Sequence, residues 1–273
     1  MTDHARELAR AIRDCEGLFL VVTGAGISLA SGIPTFRGSD LGAVWKRDVT
    51  ELGTVRYFDQ EPEGSWRWYL ERFEKVLGAR PNPAHSALVD IERWRVARQA
   101  PFLVITQNID GLHRAAGSTA LVEVHGAADR VRCSAYGCRN GAPDGSLPRS
   151  QVDLSSFLAH PTRQNVPRCP ECGELLRQHV LWFDELYSGH RDYQWPRVLD
   201  ASDTAELVLF VGTSFSVGVT EQVLSQARER GTPVYNVDPA GRPMRGVALV
   251  KEPSEVLLPR TAAVLDADAH PTR

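Results

Sequence analysis

Residues 18–38 read LFLVVTGAGISLASGIPTFRG, an apolar run that leads into a glycine-rich loop. This arrangement is typical of a buried parallel strand that turns into the start of a helix, where free backbone N–H groups can hold a phosphate. We expect Gly24 and Gly26 to allow a tight turn and a close approach to a ligand, and Gly32 to allow close packing. Gly32 lies too late for the GxGxxG dinucleotide pattern, so the loop alone indicates a nucleotide only weakly.

Three further apolar runs, residues 102–105, 207–211 and 233–237, have the length and the β-branched content of core strands. Polar or glycine-bearing turns accompany these runs, and helical patterns lie between them. The alternation predicts an α/β fold, a doubly wound parallel sheet of the Rossmann-like type. Because ligands bind at the carboxyl ends of the strands in such sheets, we expect Gly24, Gln107, Asn108 and Ser214 to lie close together.

Two stretches of the chain break this alternation. Residues 39–78 place three of the six tryptophans among charged residues at helical spacing, which predicts a helical insert. Residues 129–178 are rich in Gly, Pro, Ser, Arg and Cys and show little apolar periodicity. We predict one Rossmann-like domain from residues 1–38, 79–128 and 179–273, and a smaller lobe that the helical and the cysteine-bearing inserts form together.

Size and charge exclude several classes of protein. A chain of 273 residues with 42% hydrophobic residues can bury a large core as one large domain or two modest ones. The formal net charge is −3 without a run of like charges, so a nucleic-acid partner is not expected. The charged N-terminal segment and the short apolar run behind it fit neither a signal peptide nor a membrane span. We therefore expect a cytoplasmic protein without a membrane partner; its oligomeric state stays open.

Four of the five cysteines form two close pairs, Cys133-x4-Cys138 and Cys169-x2-Cys172. Such pairs in a reducing compartment favour a metal over disulfides. Four thiolates around one tetrahedral zinc leave no position for water, so the expected site is structural rather than catalytic. Cys15 has no partner at ligand spacing and is expected in the core.

Two more motifs follow predicted strands: TQNIDGLH at residues 106–113 and VEVHG at residues 122–126. With GAGIS at 24–28, GIPTFRG at 32–38, the two cysteine pairs, Trp182-Phe183 and Gly212-Thr213-Ser214, the chain resembles the sirtuins, a family of NAD-dependent protein lysine deacylases. The motifs run in family order from residue 17 to about residue 240. Each motif is common alone, whereas their combination is specific.

The resemblance implies a site for NAD. The glycine loop and Ser28 would hold the pyrophosphate and adenosine side, and the 212–214 turn and Asn236 would complete the adenosine ribose end. Gln107 would contact the nicotinamide ribose, and Asn108 and Asp110 would face the nicotinamide. Thr35, Phe36 and Arg37 would lie on a mobile loop that orders over NAD. The implied cofactor-binding residues are Gly24, Ala25, Gly26, Ser28, Thr35, Phe36, Arg37, Gln107, Asn108, Asp110, Gly212, Thr213, Ser214 and Asn236.

The resemblance also implies the catalytic residues His125 and Asn108. In the family, the acyl-lysine carbonyl oxygen attacks C1′ of the nicotinamide ribose, and a histidine then takes a proton from the ribose hydroxyls. The products are nicotinamide, O-acyl-ADP-ribose and free lysine. An imidazole suits this work because its ordinary pKa lies near the operating pH. Without the family context, His125 would be interpreted as a hydrogen-bonding residue at a strand end, as we expect for His85, His113 and His179.

Two segments are candidates for substrate binding. Residues 180–183 look extended, and Val180, Trp182 and Phe183 could contact an acylated peptide that pairs with this edge, although a buried strand fits the same pattern. Tyr69-x-x-Arg72 puts a phenol and a guanidinium on one helix face, where they could clamp a carboxylate. This pattern resembles the sirtuins that remove succinyl, malonyl and glutaryl groups, in which a small residue stands near the position of Gly53. The alternative is a solvated helix in which Arg72 pairs with a nearby acid.

Other functions remain open from the sequence. The same fold could transfer ADP-ribose or hydrolyse NAD, or it could be a catalytically silent NAD-binding or zinc-stabilised module. A hydride-transferring dehydrogenase is disfavoured by the glycine spacing. The chain also departs from many sirtuins: Leu29-Ala30 replaces Ala-Glu, Asp184 replaces Gly, and residues 217–220 read VGVT instead of Val-x-Pro-Ala.

Overall fold

The computed structural model describes residues 3–34, 49–216 and 218–269. The strands in these ranges are β1 (Leu18–Thr23), β2 (Phe102–Thr106), β3 (Leu121–Glu123), β4 (Gly126–Cys133), β5 (Leu147–Pro148), β6 (Leu176–Val180), β7 (Ala205–Val211), β8 (Val234–Val237) and β9 (Ala248–Val250). The α-helices are α1 (His4–Asp14), α2 (Val49–Leu52), α3 (Val55–Gln60), α4 (Pro62–Leu77), α5 (Pro83–Val96), α6 (Leu112–Ala116), α7 (Ser155–Ala159), α8 (Trp195–Thr204), α9 (Gly218–Arg230) and α10 (Ser254–Ala269).

Six strands form one parallel sheet in the order β3-β2-β1-β7-β8-β9. The side chains of β1 alternate between two cores, as the twofold period of a strand requires. Phe19 and Val21 pack with residues of α1, α5 and α10, whereas Leu20 and Val22 pack with residues of α8 and α9. Helices therefore cover both faces of the sheet, and the predicted doubly wound, Rossmann-like α/β fold is confirmed.

A separate antiparallel sheet has the order β5-β4-β6. Its core includes Trp66 and Trp68 of α4 together with Val131 and Leu176 of the sheet. The Trp66 indole N–H donates to the Leu176 carbonyl oxygen at 2.8 Å, so the helical segment and the cysteine-bearing segment share one core. The predicted domain boundaries at residues 128/129 and 178/179 stay a prediction; β4 begins and β6 ends a few residues outside them.

Cys15 is buried in the core of the parallel sheet, as predicted. In the ranges that the structure describes, no helix is both long and apolar enough to cross a membrane.

Candidate active site

The glycine loop after β1 packs directly on the turn after β7. The N–H of Gly24 donates to the Val211 carbonyl oxygen at 3.0 Å, and the N–H of Gly26 donates to the Gly212 carbonyl oxygen at 2.8 Å. A Cβ on Gly26 would lie 2.5 Å from the Cα of Gly212, which itself has a φ of +59°. These glycines are therefore required for contact between two loops, in addition to any approach to a ligand.

The expectation for Gly32 is wrong. A Cβ at this position would meet no heavy atom within 4 Å, so close packing is not its role. Gly32 has a φ of +83° and ends the segment Ala25–Ser31, so the helix that follows β1 is a 3-10 helix. Glycine is common at helix C-termini because it adopts this left-handed conformation without strain.

Asn108, Ser28 and Asp110 form one hydrogen-bonded group at the carboxyl ends of β1 and β2. The Asn108 Nδ2 donates to the Gly24 carbonyl oxygen and to Ser28 Oγ, both at 3.1 Å. Ser28 Oγ in turn donates to Asp110 Oδ2 at 2.7 Å. Asp110 Oδ1 accepts from the Leu112 N–H at 2.9 Å, so each member is held in one orientation.

Gln107 joins three strand ends. Its backbone N–H donates to the Thr23 carbonyl oxygen at 3.0 Å. Its side-chain Nε2 donates to the same oxygen and to Thr213 Oγ1, both at 3.2 Å. The ends of β1, β2 and β7 thus meet as the Rossmann-like fold requires.

The imidazole of His125 lies against the backbone of Gln107. Its Nδ1 is 2.8 Å from the Gln107 carbonyl oxygen, which can only accept, so Nδ1 carries the proton and Nε2 carries the lone pair. Burial lowers the pKa of His125 to about 4, opposed by the hydrogen bond to Gln107. At neutral pH the ring is therefore neutral, with a nitrogen that can accept a proton.

Four of the predicted cofactor-binding residues line one cleft: Ala25, Ser28, Asn108 and Asp110. The others have different surroundings. Thr213 is buried, Ser214 is exposed, and Asn236 is buried on β8 with a carboxamide oxygen that has no partner among the described residues. Thr35, Phe36 and Arg37 lie outside the described residues.

The two members of the Tyr-x-x-Arg pattern have different surroundings. Arg72 lines the same cleft as Asn108 and Asp110. Its guanidinium lies 4.2 Å from the centre of the Trp68 ring, and Nη1 donates to the Trp68 carbonyl oxygen at 3.0 Å. Tyr69 is only 4% exposed and stacks on Trp182 in the core of the small lobe, and burial raises the pKa of its phenol. The helical spacing predicted a shared face but not which side chain reaches the cleft.

Residues 180–183 are held partly by the protein itself. Val180 pairs with Gly126, and the N–H of Leu181 donates to the His125 carbonyl oxygen at 2.9 Å. Trp182 is buried, whereas Phe183 is 52% exposed and donates its N–H to the Gly53 carbonyl oxygen at 3.0 Å. The segment therefore links the loop of His125 to the buried Gly53.

Sequence reasoning gave no role to Asp184 and did not identify Tyr187. Asp184 accepts from the N–H groups of Val55 and Arg56 at 2.8 and 3.2 Å and so caps α3. The hydroxyl of Tyr187 lies 3.2 Å from Nε2 of His125. Asp184 stands where many sirtuins have Gly, and this difference was a signal for it. No pattern in the sequence marks Tyr187.

The four paired cysteines come together in the small lobe. The sulfur atoms of Cys133 and Cys172 are 3.4 Å apart, those of Cys138 and Cys169 are 3.7 Å apart, and all four lie within 4.8 Å of one another. These distances exclude disulfide bonds. A tetrahedral zinc with Zn–S bonds of about 2.3 Å separates its sulfurs by roughly 3.8 Å, so the cluster fits the predicted structural zinc.

The other buried histidines form structural contacts, as expected. His85 belongs to the capping box of α5 with Asn82, and His113 Nε2 lies 2.9 Å from Thr23 Oγ1. His179, His190 and Asp192 could also surround a metal. Both nitrogens of His190 are already bonded to backbone groups, however, to the carbonyl oxygen of Gly145 and the N–H of Asp192.

Comparisons with known proteins identify the family of the chain. Residues 24–219 match the model of the Sir2 family. The chain is 39% identical over 229 residues to an NAD-dependent protein deacylase of Thermus thermophilus, covering 84% of this chain and 82% of that protein. It is 35% identical over 239 residues to NAD-dependent protein deacylase 1 of Archaeoglobus fulgidus, covering 85% and 86%.

Solved structures give the same result. The crystal structure of a Sir2 homologue in complex with NAD matches with a TM-score of 0.78 at 29% identity, covering 96% of this chain and 94% of the other. A Sir2 complex with a p53 peptide and NAD matches with a TM-score of 0.74 at 26% identity over the full length of both chains. This protein is therefore a member of the Sir2 family, the sirtuins.

Proposed function

We propose that this chain is an NAD-dependent protein lysine deacylase that releases nicotinamide, O-acyl-ADP-ribose and free lysine. The observation that carries the proposal is the hydrogen bond from Nδ1 of His125 to the carbonyl oxygen of Gln107, the residue before Asn108. This bond leaves the lone pair on Nε2, which is the nitrogen that can take a proton. The relatives named as NAD-dependent protein deacylases support the assignment.

The residues of the site fit NAD as a co-substrate. The loop from Gly24 to Ser28 would take the pyrophosphate, and the 212–214 turn with Asn236 would take the adenosine ribose. The buried carboxamide oxygen of Asn236 can accept a hydrogen bond from a ribose hydroxyl. Asp110 can accept from the nicotinamide carboxamide, and Asn108 can orient the ribose or a water.

The chemistry needs one base. The carbonyl oxygen of the acyl-lysine attacks C1′ as the bond to the nicotinamide nitrogen breaks, which gives an alkylamidate. Nε2 of His125 then takes the proton of a ribose hydroxyl, so that the 2′-oxygen can attack the amidate carbon. Addition of water releases the lysine amine and leaves the acyl group on ADP-ribose. A positioned general base of this kind contributes about 10²- to 10⁴-fold to the rate.

For the acyl group, we propose acidic chains such as succinyl and malonyl in addition to acetyl. Arg72 supports this because it lines the cleft that Asn108 and Asp110 share. A planar guanidinium can hold a carboxylate by two parallel hydrogen bonds. The phenol of Tyr69 would have to leave its stack on Trp182 to join such a clamp, so Arg72 is the stronger half of the proposal.

Zinc would be held by Cys133, Cys138, Cys169 and Cys172, where it would stabilise the small lobe. We do not assign it a step, since four thiolates fill a tetrahedral coordination sphere. The cytoplasmic localisation stays a prediction, which fluorescence microscopy of a tagged full-length chain would test.

Mass spectrometry of the products tests the function. The purified zinc-loaded protein is incubated with NAD and either an acetyl-lysine or a succinyl-lysine peptide, in parallel. We expect free lysine and O-acyl-ADP-ribose of the matching mass from both peptides. ADP-ribose without an acyl group would indicate an NAD hydrolase, and an ADP-ribosylated peptide would indicate a transferase; either result as the sole product would contradict the proposal.

A further inference from the structure

The hydroxyl of Tyr187 is hydrogen-bonded to Nε2 of His125, the nitrogen that would take the proton. Its Oη is 3.2 Å from Nε2, and the two rings are stacked with centroids 5.8 Å apart and planes 25° from parallel. Because Nδ1 donates to the Gln107 carbonyl oxygen, Nε2 of the neutral ring can only accept. The phenol is therefore the donor, and its hydrogen points at the lone pair that the base would use.

Other contacts hold Tyr187 in this place. Its ring stacks on Trp195, the first residue of α8, with centroids 4.4 Å apart and planes 15° from parallel. The start of α9 lies beside the same ring, since a Cβ on Gly218 would be 3.6 Å from Cε2 of Tyr187. The ring is thus packed against both α8 and the start of α9.

One nitrogen lone pair accepts one in-plane hydrogen bond. The ribose hydroxyl that His125 deprotonates must approach the same lone pair, so it competes with the phenol. We propose that the Tyr187 hydroxyl occupies the proton-accepting nitrogen of His125 in the free protein and is displaced from it when the nicotinamide ribose binds. This inference rests on the proposed function, since it takes His125 as the base that meets the ribose.

Tyr187 is in this sense a positioning residue, since it acts on the base His125 and does not itself take part in the reaction.

Tyr187→Phe tests the proposal because it removes only the hydroxyl and keeps the ring that stacks on Trp195. The matched control is Tyr136→Phe, since Tyr136 is 81% exposed in the small lobe. The first measurement is the dissociation constant of ADP-ribose by calorimetry, with the full zinc-loaded chain. Without a hydroxyl to displace, Tyr187→Phe should bind ADP-ribose about two- to tenfold more tightly, the size of one net hydrogen bond.

The second measurement is the ¹⁵N resonance of Nε2 of His125, assigned with His125→Gln. In the free protein, Tyr187→Phe should move this resonance downfield, away from a hydrogen-bonded nitrogen, and added ADP-ribose should move it back. The wild type should change little, because one donor replaces another. A purely structural role for Tyr187 would not produce this pattern.

The inference would be overturned if Tyr187→Phe bound ADP-ribose equally or more weakly and its Nε2 resonance were unchanged. Deacylation by the wild type would leave the proposed function intact in that case. A wild type that does not bind ADP-ribose at all would overturn both. If Tyr187→Phe does not fold, ¹³C-tyrosine spectra of the wild type replace it. The Tyr187 ring signal must then shift on addition of ADP-ribose while that of Tyr136 does not, and an unmoved Tyr187 signal would refute displacement.

Discussion

Gly26 and Gly212 are in backbone contact, so closely that a Cβ on Gly26 would lie 2.5 Å from the Cα of Gly212. The contact joins the loop after β1 to the turn after β7, and it is reinforced by the hydrogen bond from the Gly26 N–H to the Gly212 carbonyl oxygen. Both loops carry residues of the candidate NAD site. Their relative position is therefore set by the protein before any ligand binds.

Gly26→Ala should destabilise the protein because the obstacle is backbone and cannot move aside. We expect a loss of about 1–3 kcal/mol in the free energy of unfolding, together with weaker ADP-ribose binding. Denaturant titration and calorimetry measure the two effects. Gly189→Ala is the control, since a Cβ there would meet nothing within 4 Å. Equal stability of the two variants would show that the loops do not constrain each other.

Cys169→Ala should remove zinc from the protein. The reason is that three thiolates cannot complete the tetrahedral site, whose metal contributes on the order of 10 kcal/mol to folding a small module. Elemental analysis should find one zinc per wild-type chain and none in Cys169→Ala. Cys15→Ala, which changes a cysteine outside the cluster, should keep the metal. A full zinc content in Cys169→Ala would contradict the assignment.

Arg72→Met should lower activity on succinyl-lysine about 10- to 100-fold while activity on acetyl-lysine falls much less. A charge-assisted hydrogen bond to a carboxylate, worth about 1.5–3 kcal/mol, accounts for the difference. The values of kcat/KM for the two peptides measure it. Methionine removes the charge and keeps an unbranched side chain. The control Arg67→Met changes an exposed arginine of the same helix. Equal losses of activity on both peptides would show that Arg72 does not contact the carboxylate.

The buried histidines should make the stability depend on pH. Burial lowers the pKa of His85, His125 and His179 to about 4, that of His113 to about 3, and also that of His190. The unfolded chain, with histidine pKa values near 6.5, then binds more protons than the native state between pH 6.5 and 4. The free energy of unfolding should therefore be highest above pH 6.5 and fall as the pH decreases, by up to about 1.4 kcal/mol per unit for each histidine.

Denaturant titrations at pH 7.5, 6.5 and 5.5 measure this slope. His113→Gln should have a smaller slope than the wild type because one buried titrating group is gone. The exposed His160→Gln should keep the wild-type slope, and protonation of the zinc thiolates is common to all three proteins. The same slope in His113→Gln and wild type would show that His113 does not contribute.

Sequence patterns predicted the parallel sheet because the signal for a buried strand is local. Each apolar run, such as residues 18–22, has the length of a strand and is followed by a turn. They also predicted the cysteine cluster, since the spacing within each pair fixes the ligand geometry. The contact of the loop after β1 with Gly212 could not be predicted, because Gly212 is far away in the sequence.

Side-chain direction was harder to predict than position. Helical spacing puts Tyr69 and Arg72 on one face, but only the packing of Trp182 decides that Tyr69 enters the core. Tyr187 and Asp184 act on partners that are 62 and 129 residues away in the chain. No local pattern contains such pairs, so the positioning residues of the site emerge only from the folded structure.

The central claim is that His125 is the base beside a single bound NAD, and the products of His125→Ala test it most directly. With NAD and an acetyl-lysine peptide, we expect this variant to form O-acetyl-ADP-ribose at least about 100-fold more slowly than the exposed-histidine control His160→Ala, while it still binds ADP-ribose and zinc. Formation of O-acetyl-ADP-ribose by His125→Ala at the rate of the control would contradict the account.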